Sequence, residues 1–306
     1  MRRLVPWVLV SLVALGAAAG AAGGDAAGAT LGIAHGTPPE KPSQWVAAAL
    51  AATERAGTAR FSYTSVTSSP NADLRSSVSG AGEVNFATGD VQVTEVDHEV
   101  SYVSSGNQPM HPVHSSTTVK AIVIGGTVYQ ANPIPGFRFT TQYHVLPYPK
   151  LPRAQRGLAL ALDADVALAS LRGPNAVASV INLGLASIDG AATTRHEVTF
   201  ASFRACAPHQ APVVVNQRPT DVWVDGSGRL RQVRSTSYFS DRPPRNEKVP
   251  AAFGAFPRAP MTTVSTLTFS AFGIPVHVVA PSASALAPHG GSSAGLVIAG
   301  AQRCPS

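Results

Sequence analysis

The sequence has few charged residues, few aromatic residues and almost no cysteine. Of its 306 residues, 13% are charged and 7% are aromatic, and two are cysteines. The formal net charge of +6 is not gathered into Lys/Arg runs with interleaved aromatic residues, so nothing indicates nucleic-acid binding. The sequence also lacks a phosphate-binding glycine loop, a dinucleotide fingerprint and paired carboxylates on one predicted face. We therefore expect no cofactor and no nucleic-acid partner.

A long apolar run occurs only at the N-terminus. Arg2 and Arg3 precede an apolar stretch over residues 4–15, and small residues follow up to Gly24. This pattern is typical of a secretory signal peptide over residues 1–24, followed by a flexible leader over residues 25–42. An uncleaved anchor is the alternative, because a bilayer is spanned by about 20 apolar residues. The Ala/Gly-rich second half of the run favours cleavage, so we expect a secreted, periplasmic or cell-envelope protein.

The two cysteines, Cys206 and Cys304, both lie in the part that would be exported. Neither has the neighbouring cysteine or histidine of a redox or metal site, and oxidising compartments favour disulfides, so we predict a Cys206–Cys304 bond. A bond that closes a loop of about 100 residues stabilises a protein by about 4–5 kcal/mol in the chain-entropy model. No cysteine follows the signal peptide, which argues against a lipid anchor.

The hydrophobic pattern changes from a helical period to an alternating one near Arg60. Residues 43–59 read as a helix with Ser43 as N-cap, and residues 158–183 read as two helices separated at Gly173-Pro174. Turns at Gly125-Gly126 and at residues 225–228 indicate antiparallel hairpins. Predicted strands cover residues 82–86, 90–96, 99–104, 118–124, 127–130, 194–203, 221–225, 229–239, 264–272 and 276–279. These elements predict an α+β domain over residues 43–280 and a low-complexity tail over residues 281–306.

One stretch matches a catalytic motif in its residue types but not in its context. Residues 291–295 satisfy the G-x-S-x-G pattern of serine hydrolases, with Ser293 as the nucleophile. That motif requires a strand before the serine and a helix after it, whereas this copy lies in a Gly/Ser/Ala-rich tail. No acid or histidine follows Ser293 to complete a triad. We therefore expect no catalytic residue and no enzymatic activity, with a hydrolase as the rejected alternative.

Histidines do not form a convincing metal site. His111 and His114 could both reach one ion, but no Asp, Glu or Cys stands beside them to complete a zinc site. The simpler interpretation is a solvated loop over residues 106–114, and residues 97–99 (Asp-His-Glu) read as a polar turn. His277 reads as an edge-strand residue. The sequence thus predicts no metal site.

The order of elements and several short segments resemble the LolA-like fold, in particular the actinobacterial LppX/LprG-type envelope lipoproteins. The strongest likeness is the hairpin Val-Trp-Val-Asp-Gly-Ser-Gly-Arg-Leu over residues 222–230. The other segments are residues 48–61, 82–86, 122–129, 163–171 and 269–276. The resemblance implies a half-barrel, which is a curled antiparallel β-sheet wrapped around a few α-helices, with an apolar cavity for acyl chains. The family's anchoring cysteine is absent here.

The resemblance further implies lipid binding or lipid transport in the cell envelope. An acylated lipid or glycolipid would be the ligand, envelope transport proteins would be possible partners, and contact with the membrane would be peripheral. The alternative is a non-catalytic interaction or sensor module with a filled core on the same β-scaffold. Because side chains alternate along a strand, every second residue of a strand would line the cavity. The sequence does not determine which of two adjacent residues points inward. These candidate cavity residues are Phe61, Tyr63, Val84, Phe86, Val123, Phe200, Val222, Val224 and Phe269.

Overall fold

The computed structural model describes residues 41–69, 74–103, 111–131, 142–147, 166–172, 177–201, 203–206, 213–215, 218–239, 261–287 and 302–303. Its helices are α1 (Pro42–Arg55) and α2 (Val166–Arg172). The strands of the first half are β1 (Thr58–Ser69), β2 (Leu74–Asn85), β3 (Asp90–Val103), β4 (His111–Ile124), β5 (Thr127–Ala131) and β6 (His144–Pro147). Those of the second half are β7 (Val177–Ile188), β8 (Ala191–Phe200), β9 (Phe203–Cys206), β10 (Val213–Val215), β11 (Thr220–Asp225), β12 (Leu230–Phe239), β13 (Met261–Ser270) and β14 (Gln302–Arg303).

Eleven of these strands form one antiparallel sheet in the order β6-β5-β4-β3-β2-β1-β13-β12-β11-β8-β7. Strands β1 to β6 form a meander, and β13 returns to pair with β1, which joins the two halves. Strands β10, β9 and β14 form a second, small sheet. The large sheet is open, with β6 and β7 at its edges, and both halves contribute to one buried cluster, so it curls around that cluster. The predicted fold class is confirmed.

Two tight hairpins depend on residues that accept a positive φ. Gly125 and Gly126 join β4 to β5 with φ of 57° and 80°, as the sequence predicted. Asp189 and Gly190 join β7 to β8 with φ of 49° and 78°. Positive φ at both central residues is the geometry whose twist matches that of paired strands, and Asp-Gly and Gly-Gly adopt it readily.

The helix predicted after Pro174 is wrong, because Val177–Ile188 is strand β7 and pairs with β8. The segment contains β-branched Val177, Val180 and Ile181, which favour strands, and the turn at Asp189-Gly190 sets the antiparallel partner alongside it. Register shifts near Val177 and Asn182 break the alternation of the strand, which obscured its period in the sequence.

Other predicted boundaries also differ. Helix α1 begins at Pro42, and Lys41 takes the N-cap position without a side-chain capping bond, so Ser43 is not the cap. Proline suits the first turn because the missing amide hydrogen has no acceptor there. The polar turn predicted at residues 97–99 lies inside β3, and the predicted loop at residues 106–114 gives way to β4 from His111 onward. Residues 276–279 are not a strand.

The helices pack on one face of the sheet. Helix α1 contacts β7 and β12, whereas α2 contacts β12 and β13. Val46, Ala49 and Thr53 are the buried positions of α1, at the spacing of one helical face. Thr53 ties α1 to β12, because its hydroxyl donates to the carbonyl of Ala49 (2.8 Å) and accepts from the backbone N–H of Leu230 (2.9 Å).

Candidate functional site: the concave face of the sheet

The candidate cavity residues all belong to one buried hydrophobic cluster. Each is at most 8% exposed. They lie on the face that α1 and α2 cover, since Val46, Ala49, Leu168 and Leu171 of those helices belong to the same cluster. We call this face the concave face. The structure therefore places these residues together, while their contact with a ligand stays a prediction.

Two aromatic residues of β1 lie flat over glycines of β2. Phe61 is opposite Gly82 and Tyr63 is opposite Gly80. A Cβ atom added at Gly82 would stand 2.6 Å from Cζ of Phe61, and one added at Gly80 would stand 2.6 Å from Cζ of Tyr63. At such distances the aromatic ring would have to move, so glycine at these positions lets the rings lie where they do. This role was not predicted from the sequence, in which the alternate spacing of Gly80 and Gly82 is its signal.

The ring of Tyr63 crosses Gly80 to reach the next strand. Gly80 is opposite Glu95 of β3, and the Tyr63 hydroxyl donates a hydrogen bond to Oε2 of Glu95. Both side chains are buried. A buried carboxylate needs hydrogen-bond donors, and the phenol supplies one. This pair was not predicted from the sequence.

Further along β1 and β13 the concave face becomes polar. Ser65 is bonded to Ser265 (3.0 Å) and Thr67 to Thr263 (2.8 Å) through their hydroxyls. These residues share a face with Phe61 and Phe269, because side chains alternate along regular strands. We call this set the polar band: Tyr63, Ser65, Thr67, Glu95, Thr263 and Ser265. The concave face is thus apolar near α1 and α2 and polar along the band.

Asp97 extends the polar character along β3, on the same face as Glu95. Its burial raises the pKa of the carboxyl, and the neighbouring His98 opposes that shift. The Oδ1 atom of Asp97 is buried and has no hydrogen-bond partner. Asp97 is therefore not part of the polar turn predicted at residues 97–99.

His196 of β8 lies under α1. The residue is buried, and this burial lowers the pKa of its imidazole. Its Nδ1 atom has no hydrogen-bond partner, and the ring of Trp45 packs against it. A neutral imidazole is the form that such an environment favours, because burial disfavours the charged form.

The β11–β12 turn is held by one carboxylate. Burial would raise the pKa of Asp225, but hydrogen bonds from Arg229 and Arg231 outweigh it and hold the pKa below its usual range. The guanidinium carbons of Arg229 and Arg231 lie 4.7 and 4.8 Å from the ring centroid of Phe272. The predicted hairpin is confirmed. The carboxylate of Asp225 has a structural role there, because Arg229 and Arg231 both donate hydrogen bonds to it.

The other residues singled out in the sequence are exposed or lie outside the described residues. Ser293 and Cys304 lie outside the described residues. His114 and His277 are exposed, and no group of three His, Cys, Asp or Glu side chains able to hold a metal occurs in the described part of the chain. Within the same ranges, no helix is both long and apolar enough to cross a bilayer.

Comparison with known proteins gives structural likenesses only. No family model and no curated protein matches the sequence. The chain is similar to LprF from Mycobacterium bovis. The two are 17% identical, the match covers 80% of this chain and 99% of LprF, and the TM-score is 0.39.

Two further solved structures belong to the group that the sequence resembles. The Mycobacterium tuberculosis lipoprotein LppX is 14% identical over 78% of this chain and 97% of its own, with a TM-score of 0.35. A LolA superfamily protein from Nitrosomonas europaea is 13% identical over 78% and 94%, with a TM-score of 0.26. Because these TM-scores are low, the likenesses do not assign the fold, which is assigned from the strand order of this chain.

Proposed function

We propose that this chain is a secreted or cell-envelope protein that binds the acyl chains of a lipid on its concave face. The supporting observation is the division of that face into an apolar region and the polar band. An acylated lipid or glycolipid has the same division into tails and headgroup. The likeness of the sequence to envelope lipoproteins points to the same class of ligand.

The energetics of lipid extraction define what the concave face must supply. Removing an acyl chain from a bilayer costs about 0.8 kcal/mol per CH₂ group. The candidate cavity residues offer a comparably dry surface, since they include five aromatic rings and otherwise only valine. Serine and threonine hydroxyls both donate and accept, so the pairs in the polar band keep capacity for a headgroup. Transfer between envelope surfaces would follow from binding.

A second candidate function is a non-catalytic interaction or sensor module with a filled core. It is favoured by the low exposure of the candidate cavity residues, because side chains that are at most 8% exposed can fill the interior by themselves. In that case the sheet would be a scaffold, and the activity would lie on its outer surfaces.

Native mass spectrometry of the full chain, produced in a bacterial host that exports it, tests the proposal. We expect bound lipid on the wild-type protein. Val123→Glu places a charge on the concave face and should lose the lipid, whereas Ile122→Glu, on the opposite face of the same strand, should keep it. Folded wild-type protein that carries no lipid and binds no fluorescent fatty acid would favour the filled-core module.

A further inference from the structure

Strand β7 forms an exposed edge of the large sheet. It pairs with β8 on one side, and no strand of the described ranges pairs with its other side. Three of the seven exposed large hydrophobic residues in these ranges lie in this strand, namely Ile181 (48% exposed), Leu183 (47%) and Leu185 (79%). Apolar exposure is therefore concentrated on one edge.

This edge lacks most of the features that protect sheet edges from pairing. The segment Val177–Ile188 contains no charged residue and no proline. The opposite edge, β6, is four residues long and ends at Pro147, which is a protected edge. The irregularity near Asn182 still leaves residues 185–188 in regular register with residues 191–194. A long, uncharged and apolar edge with a regular end can accept another strand.

We propose that β7 is a dimerisation edge that pairs antiparallel with β7 of a second copy of this chain. In a two-fold antiparallel pairing, a residue near the axis lies beside its own copy, so a charge there would lie beside a like charge. The absence of charge over residues 177–188 makes β7 complementary to itself. This inference does not depend on lipid binding.

The backbone of β7 favours a second copy over a membrane surface as the occupant. A free strand edge presents N–H and C=O groups, and the apolar part of a bilayer offers no partner for them. A second β7 satisfies those groups and covers the side chains of Leu183 and Leu185 at the same time. Pairing with a second β7 would therefore satisfy the backbone groups of the edge and cover its apolar side chains.

Light scattering on the full purified chain, over a range of concentrations, tests the proposal. We expect a molar mass twice that of the chain, reduced to that of the monomer by Leu185→Lys. Val279→Lys is the matched control, since Val279 is 69% exposed but lies outside β7. This control should remain dimeric. Circular dichroism establishes that both variants fold, and the thermal midpoint of Val279→Lys should equal that of the wild type because Val279 is exposed.

Hydrogen exchange distinguishes strand pairing from contact through side chains alone. We expect amides of β7 to exchange at least tenfold more slowly in the wild-type dimer than in the Leu185→Lys monomer, since edge amides gain acceptors. A wild-type protein that is monomeric at every concentration overturns the proposal. So does a dimer that persists in Leu185→Lys, or a monomer that pairs only with liposomes or with another protein.

Discussion

The indole of Trp45 on α1 packs against the imidazole of His196 on β8, with ring centroids 4.4 Å apart and planes inclined by 47°. This contact joins the first helix to a strand near the β7 edge of the sheet. Because the His196 ring is buried and its Nδ1 has no partner, protonation would place a charge under the helix. The contact thus couples the packing of α1 to the protonation state of one residue.

We expect stability to fall when the pH is lowered through the range just below the ordinary histidine pKa of 6.5. The folded-state pKa of His196 is lowered, so the unfolded chain binds the proton first and the native state loses stability as the pH falls towards that lowered pKa. Replacing His196 with Phe should flatten this dependence. Urea unfolding at several pH values between about 5 and 8 measures it.

The matched control for the pH prediction is His114→Gln, because His114 is exposed on β4. Its pH dependence should equal that of the wild type. If His196→Phe kept the full pH dependence, then His196 would not be the titrating group.

Asp225 contributes at lower pH, because stability from its lowered pKa is present above 3.8 and is lost as the pH falls below that value.

Gly80→Ala should destabilise the fold by about 1–3 kcal/mol, the usual cost of overpacking a core. The added methyl group would collide with the ring of Tyr63 and displace its hydroxyl from Glu95. Gly226→Ala is the control, because nothing lies within 4 Å of a Cβ added there. Chemical denaturation compares the two free energies of unfolding, and equal values for both variants would contradict close packing of Tyr63 on Gly80.

Thr53→Val should cost about 1–3 kcal/mol of stability, because it removes the acceptor of the buried Leu230 N–H while preserving the side-chain volume. Thr53→Ser keeps the hydroxyl and should lose less. The free energy of unfolding from denaturant titration measures both. A Val variant as stable as the wild type would mean that the link between α1 and β12 has no energetic role.

The sequence alone predicted the hairpins at Gly125-Gly126 and at residues 225–228, and candidate inward positions of several strands. Gly125-Gly126 determines a turn locally, and alternation over two residues placed Phe61 and Val123 on a buried face. Both features depend on neighbours in the chain, so a single sequence contains them.

The features that were missed depend on partners far away in the chain. Residues 177–188 are uncharged and apolar, which suits a buried helix as well as a strand, and only pairing with β8 decides between them. The Tyr63–Glu95 bond requires the register of three strands, which is set by the whole sheet. The spacing of Gly80 and Gly82 marks the close approach but not which residue approaches.

The disulfide between Cys206 and Cys304 stays a prediction, because Cys304 lies outside the described residues. Strand β14 pairs with β9, with Gln302 opposite Cys206. We expect a non-reducing peptide map to show the Cys206–Cys304 bond, and a Cys206→Ser, Cys304→Ser double variant to lose up to about 4–5 kcal/mol of stability. Reduction of the wild type should have the same effect, whereas the double variant should not respond to reductant. Two thiols that react in the native, unreduced protein would show that the tail is held by the strand pairing alone.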